Sequence, residues 1–190
     1  MNPAQRFVVL VGSFFAVHAV QGNVIFQESF EGTSGYIVEH GGFNPSSNNH
    51  FFTVLPQTNQ TLGYTPANIN GTAYFGGRDL NGFTSGTPHR VTFNNVDLTA
   101  YQNFSVALAL SARGGNIFEA NDIITLEYSL DGGGHFMELD RFFGKTRGGA
   151  LSNGSGTLVE ALTDYNYLIP GVMTQLAFRI TAGTFIDGNE

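Results

Sequence analysis

The chain contains no cysteine and no tryptophan, and only 8 lysines and arginines stand against 15 aspartates and glutamates. Without cysteine no disulfide can brace the fold, and no thiol nucleophile is available. Export without disulfides is common in bacteria and argues against a small animal ectodomain. The formal net charge of −7 argues against nucleic acid and anionic membrane as partners. It is compatible with cation binding. Long helical periodicities are absent. Beyond residue 22 no run is long and apolar enough to span a bilayer, which excludes membrane insertion by a helix after that point.

What is abundant is glycine, 25 of 190 residues and nearly twice the usual share, together with 18 phenylalanines. Such a composition suits short strands joined by many turns. Met1 to Gly22 stands apart. It has one early cation, Arg6, then an apolar run from Phe7 to Val20, then small residues at Ala16, Ala19 and Gly22. This is the pattern of a secretory signal peptide, with a buried first strand or a membrane anchor as the alternatives. The expected organisation is therefore a signal peptide over 1–22 and a single domain over 23–190, placed outside the cell or on its surface.

Alternation at period two predicts strands along that domain. In Ile123–Leu130, Ile124, Leu126, Tyr128 and Leu130 share one face, and Asp131-Gly132-Gly133-Gly134 follows as a tight reversal. Phe104, Val106, Leu108 and Leu110 face inward and Ser105, Ala107 and Ala109 outward, leaving an outer face small enough for something to pack closely. Leu176, Phe178 and Ile180 mark a strand over Thr174–Thr181. Further strands are expected at Asn23–Phe30, Tyr36–Val38, Phe51–Leu55, Thr72–Phe75, Arg90–Phe93, Phe136–Phe143 and Thr157–Leu162. Asn94–Tyr101 reads as a connection and Asp164–Pro170 as a turn region. The expected class is all-β, an antiparallel sandwich or barrel.

Phe30-Glu31-Gly32, Tyr74-Phe75-Gly76-Gly77-Arg78-Asp79, and Glu119-x-x-Asp122 leading into Tyr128-Ser129-Leu130-Asp131-Gly132-Gly133 are short motifs spread over the domain. On these the chain resembles modules of bacterial secreted and surface proteins that form concanavalin A-like jelly-roll sandwiches, akin to MAM, laminin-G and some carbohydrate-binding domains. The resemblance implies a two-sheet antiparallel jelly roll. It also implies a closing strand beside the first, reading hydrophobic-Asp-Asn-hydrophobic. Phe185 to Glu190 looks like the loop before such a strand, so the sequence is expected to lack it.

The same resemblance implies a structural calcium between first and last strands, with Glu28 or Glu31 as a ligand source. A second set joins Asp79, Glu119 and Asp122. Calcium takes six to eight oxygens from loop carboxylates and carbonyls, although no D-x-[DN]-x-[DN]-G loop occurs. The competing reading is that these carboxylates cap turns or pair with Arg78, Arg113 and Arg141. Glycoside hydrolases of this sandwich class carry E-x-D-x-x-E on a strand. Glu119, Asp122 and Glu127 have the wrong spacing for that motif, so no catalytic residues are expected. His40, His50, His89 and His135 lie in separate loops with no zinc-binding spacing. Tyr36, Tyr64, Tyr101, Tyr165 and Tyr167 could form a sugar platform or pack over the ends of the sandwich. The expected function is that of a non-catalytic module for adhesion, glycan contact or structural display, with a glycan or another surface protein as partner. The rivals are a carbohydrate-active enzyme and a purely structural domain.

Overall fold

The computed structural model describes residues 15–19, 24–32, 35–43, 51–58, 66–78, 80, 87–113, 118, 122–144, 149–172 and 174–183. These residues form an all-β protein of antiparallel sheets arranged as a β-sandwich, with no α-helix among them. In chain order the strands are β1 (Phe15–Ala19), β2 (Val24–Glu28), β3 (Tyr36–Glu39), β4 (Gly42–Phe43), β5 (Phe51–Pro56), β6 (Ala73–Arg78) and β7 (His89–Asp97). They continue with β8 (Gln102–Leu110), β9 (Ile123–Ser129), β10 (Met137–Gly144), β11 (Leu151–Ser152), β12 (Thr163–Val172) and β13 (Gln175–Ala182).

A four-stranded sheet in the order β12-β8-β1-β2 faces a six-stranded sheet in the order β11-β10-β9-β13-β7-β3. Alternation along each strand sends one set of side chains into the space between them. From the four-stranded sheet come Phe15, Val17, Phe104, Val106, Leu108, Leu110 and Ile169. From the six-stranded sheet come Val91, Phe93, Ile124, Leu126, Phe142, Leu176, Phe178 and Ile180, and all of these are buried in one cluster. The ring of Phe15 stacks on Phe93 at 4.1 Å and on Phe178 at 4.8 Å, so aromatic contact crosses the layer at its centre. Each fully buried phenylalanine contributes roughly 1.5–3 kcal/mol relative to exposure.

A three-stranded sheet, β4-β5-β6, adds to the sandwich. Its neighbouring residues point opposite ways, and both faces are buried. Phe52 and Phe75 meet edge to face at 4.8 Å and belong to the main core. Phe51, Leu55 and Tyr74 instead pack on Ala109 and Leu162, with Ile69 beside them. The outward face of β8 is thus partly covered, and its alanine is what lets the third sheet approach. Burial pushes the Tyr74 phenol up to about 12.

Several expected elements are corrected. Asp164–Pro170 is no turn but most of the ten-residue strand β12, paired with β8 from Thr163↔Leu110 to Val172↔Gln102. Pro170 is tolerated there because β12 is an edge strand and the register shifts between Ile169 and Val172. Asn94–Tyr101 is partly strand: β7 runs on to Asp97 through one extra residue, since Phe178 faces Phe93 while Leu176 faces Val96. Thr157–Leu162 is not a strand, making only isolated bridges at Thr157 and Ala161. Leu130 lies beyond β9 and is exposed. In the segment expected as a signal peptide, residues 15–19 form β1, between β8 and β2.

Candidate functional site

Of the carboxylates expected to hold calcium, Glu28, Glu31 and Asp122 are described, and they stand where the chain leaves β2 and enters β9. Glu28 ends β2 and is buried. Its Oε1 accepts a hydrogen bond from Phe30 N at 2.7 Å and its Oε2 one from Gly35 N at 3.0 Å. These bonds hold the turn in which Phe30 takes a left-handed φ of 61°. Glu31, one turn further, accepts from the backbone N–H and the hydroxyl of Thr72 and from Ala73 N at 2.8 Å. The Thr72 hydroxyl first, then the two backbone N–H groups, hold its carboxyl below the usual range. Gly71, at φ +105°, leaves room for that carboxylate.

Asp122 precedes β9 and is buried, and its carbonyl accepts from Gly144 N at 3.0 Å. Asp79 and Glu119 lie outside the described residues, so the set of Asp79, Glu119 and Asp122 is described only at Asp122. Among the described residues no three acidic or histidine side chains are grouped as a metal would require. Glu28 and Glu31 share one turn yet serve separate backbone segments.

Other acidic residues are engaged in the same structural way. Glu127, on the outer face of β9, takes a two-pronged bond from Arg179 at 2.7 Å to each oxygen, and the Thr181 hydroxyl adds a third at 2.5 Å. Burial pushes its carboxyl up. The bonds from Arg179 and Thr181 and the charges of Arg179 and Arg90 outweigh this and leave it lowered. Asp131 braces the β9–β10 turn through the Ser129 hydroxyl at 2.5 Å and His135 Nδ1 at 2.6 Å, and the Ser129 bond leads in lowering its carboxyl. Arg141 pairs with Glu138.

His89 is buried, with Nδ1 2.5 Å from the His40 carbonyl and Nε2 2.9 Å from that of Leu80. His50 and Tyr64 lie outside the described residues. Of the tyrosines considered as a sugar platform, Tyr36, Tyr165 and Tyr167 pack against the core. Tyr165 meets Phe142 edge to face at 5.1 Å, and the Tyr167 hydroxyl donates to Asp140 at 2.6 Å, linking the two large sheets. Asn153, in one of four N-x-S/T sequons, also donates to Asp140 at 2.6 Å.

A groove of about 400 Å³ opens on the outer face of the four-stranded sheet. Ala107 and Ala109 of β8 form its floor with Leu162. Asp164 and Asn166 of β12 stand beside them, directly opposite Ala109 and Ala107 in the ladder. Asn68 and Asn70 form the other wall. Their segment is fastened by a bond from Leu162 N to the Ala67 carbonyl at 3.0 Å. Asn68 sits at φ 67°, a left-handed conformation that asparagine accepts more readily than most residues. Three amides and one carboxylate over a small apolar floor offer donors and acceptors on both walls. The sequence reading missed these four polar residues. The signal that could have found them is the alternation of Asp164 and Asn166 with Tyr165, Tyr167 and Ile169, which marks a strand with a polar outer face. No known protein family, curated protein or solved structure matches the chain.

Proposed function

We propose that the protein is a secreted or cell-surface module of a bacterial protein, a concanavalin A-like jelly roll that binds a glycan without transforming it. Its binding site is the groove between β12 and the segment 66–70. The observation that supports this is the lining itself, with Asn68, Asn70, Asp164 and Asn166 above Ala107 and Ala109. Amide and carboxylate groups on opposing walls match the hydroxyl arrays of a sugar chain, and the alanines let the ring approach the sheet. Calcium is proposed as a stabiliser held by the loop carboxylates, apart from this groove.

The test is binding of soluble oligosaccharides to the wild-type chain and to Asp164→Ala and Asn166→Ala variants, by calorimetry, alongside an assay for new reducing ends. Asp164→Ala should weaken binding tenfold or more, in keeping with roughly 1.5–3 kcal/mol for a bond to a charged group, and Asn166→Ala about twofold to tenfold, in keeping with roughly 0.5–1.5 kcal/mol for a neutral bond, at 1.4 kcal/mol per decade. No reducing ends should appear. A panel without a binder, or variants that bind as well as wild type, would remove the groove from the proposal and leave a structural domain. Released sugar would make it an enzyme.

A further inference from the structure

Strand β1 is interior to its sheet. It pairs with β2 from Phe15↔Glu28 to His18↔Val24, and with β8 from Phe15↔Leu108 to Ala19↔Phe104. Both pairings are antiparallel, so β2 and β8 run parallel to each other, one strand width apart. Each turns a row of backbone N–H and C=O groups toward the space between them, and such rows must be matched. The floor of this space is apolar, made by Phe93 and Phe178 of the facing sheet, on which Phe15 stacks; Val17 is buried beside Phe15, and Ala16 is buried on the opposite face. All three residues lie within the 1–22 segment that composition sets apart from the domain.

We propose that the space between β2 and β8 is a strand-acceptor groove. Its ligand is an extended peptide that carries an aromatic, a small and an aliphatic residue in succession and runs antiparallel to both neighbours. Phe15-Ala16-Val17 is its occupant within this chain. When that segment leaves, a second polypeptide carrying the same pattern takes its place by strand addition. The ladder on both sides supplies affinity, and the pocket between Phe93 and Phe178 selects the aromatic. Closing the gap by moving β2 onto β8 would leave the Phe15 and Val17 volumes empty, so the sheet is completed by a strand. This site is the edge of β8 and does not depend on glycan binding at its outer face.

The full chain is folded with a specific protease site inserted after Gly22, and cut in the native state. A labelled synthetic peptide with the sequence of residues 13–21 is then added, and its uptake is followed by fluorescence anisotropy and native mass spectrometry. The cut chain should take up the label and the uncut chain should not. A Phe15→Ala peptide should bind at least about a hundredfold more weakly, the lower end of the loss expected for a buried phenylalanine. If the cleaved fragment is retained through gel filtration, the label should still enter by exchange with it, and a retained fragment that excess peptide never displaces overturns the proposal. If the cut chain unfolds as the fragment leaves, the peptide must restore native hydrogen exchange at β2 and β8. The proposal is overturned if the fragment leaves and added peptide neither binds nor restores protection. Equal binding of the Phe15→Ala peptide, or equal labelling of the uncut chain, also overturns it.

Discussion

Replacing Glu127 by leucine removes a carboxylate that Arg179 grips with both Nε and an Nη, each at 2.7 Å, and that the Thr181 hydroxyl also contacts. The pair is mostly shielded, with side-chain exposures of 15% for Glu127 and 22% for Arg179, and the guanidinium lies 3.8 Å from the centre of the Phe136 ring. A lone buried cation would remain. Breaking a buried pair costs about 3–5 kcal/mol, and the residual exposure places this one near 3 kcal/mol. For a domain of this size that is a fall in melting temperature of about 6–12 °C. The double variant Glu127→Leu with Arg179→Met should come within about 1 kcal/mol of wild type, because neither charge is then left unpaired. Far-UV circular dichroism in a urea titration reads this directly, since the chain has no tryptophan for fluorescence. The sign with pH follows from the lowered carboxyl: the contribution is complete above the unfolded value of 4.5 and is lost as pH falls below it toward the folded value. A single-variant cost under about 0.5 kcal/mol, or a double variant as unstable as the sum, would refute the account and make the contact an ordinary surface pair.

Gly71→Ala should destabilise by about 1–3 kcal/mol, because a side chain at φ +105° is strained and would meet the Glu31 carboxylate. Gly32→Ala is its control, with nothing within 4 Å of the added carbon, and should change stability by less than about 0.5 kcal/mol. For His89, burial lowers the imidazole pKa and the Leu80 and His40 carbonyls oppose it without cancelling it. The unfolded chain then binds the proton more readily, so stability should fall as pH drops below about 6.5. An NMR titration showing His89 protonating above that value would reverse the sign. Calcium at millimolar concentration should raise the melting temperature and a chelator should lower it, by mass action on the folded state. Asp122→Asn should remove the part of that response carried by the set of Asp79, Glu119 and Asp122, and a wild-type chain indifferent to both additions would take calcium out of the proposal.

The strands legible in the sequence are those whose two faces differ sharply. In β8, β9 and β13 large apolar residues alternate with small or polar ones, and the inward sets Phe104–Leu110, Ile124–Leu126 and Leu176–Ile180 are buried as expected. Strand β12 was hidden because Asp164, Asn166 and Pro170 are turn formers by local preference. Its register against β8 and the burial of Ile169 outweigh that preference. Gly76 and Gly77 lie past the strand expected over Thr72–Phe75, yet they continue β6. An added Cβ at Gly77 would come within 2.8 Å of the Phe52 ring, and one at Gly76 within 3.3 Å of the Tyr74 ring, so aromatic neighbours occupy the missing side-chain space. The sequence places Glu28 near the end of the strand expected over Asn23–Phe30 and Glu31 just past it. Alternation does not show that Glu28 folds back on Phe30 and Gly35, nor that Glu31 reaches Thr72 and Ala73, bonds that span 41 and 42 residues. The groove has the same origin. Its walls come from segments far apart in the chain, joined by the bond from Leu162 to Ala67.

Strand β8 connects these features through the sizes of its side chains. Its inward residues are large and fill the sandwich, while its outward alanines are small. Ala109 lets Phe51, Leu55 and Tyr74 of the third sheet pack down on one stretch of the outer face. Ala107, further along, lies beneath the open groove opposite Asn166. A larger residue at Ala109 would force the third sheet outward, since interiors are close-packed and strain passes to the neighbours, and one at Ala107 would fill the groove above it. The same backbone offers one edge to β12, which supplies the polar wall, and the other to β1. The proposed ligand contact on the outer face and the proposed strand acceptance at the edge therefore share one element. Occupancy of the β1 position fixes the backbone on which Ala107 and Ala109 stand, since Ala16 pairs with Ala107 in the same ladder.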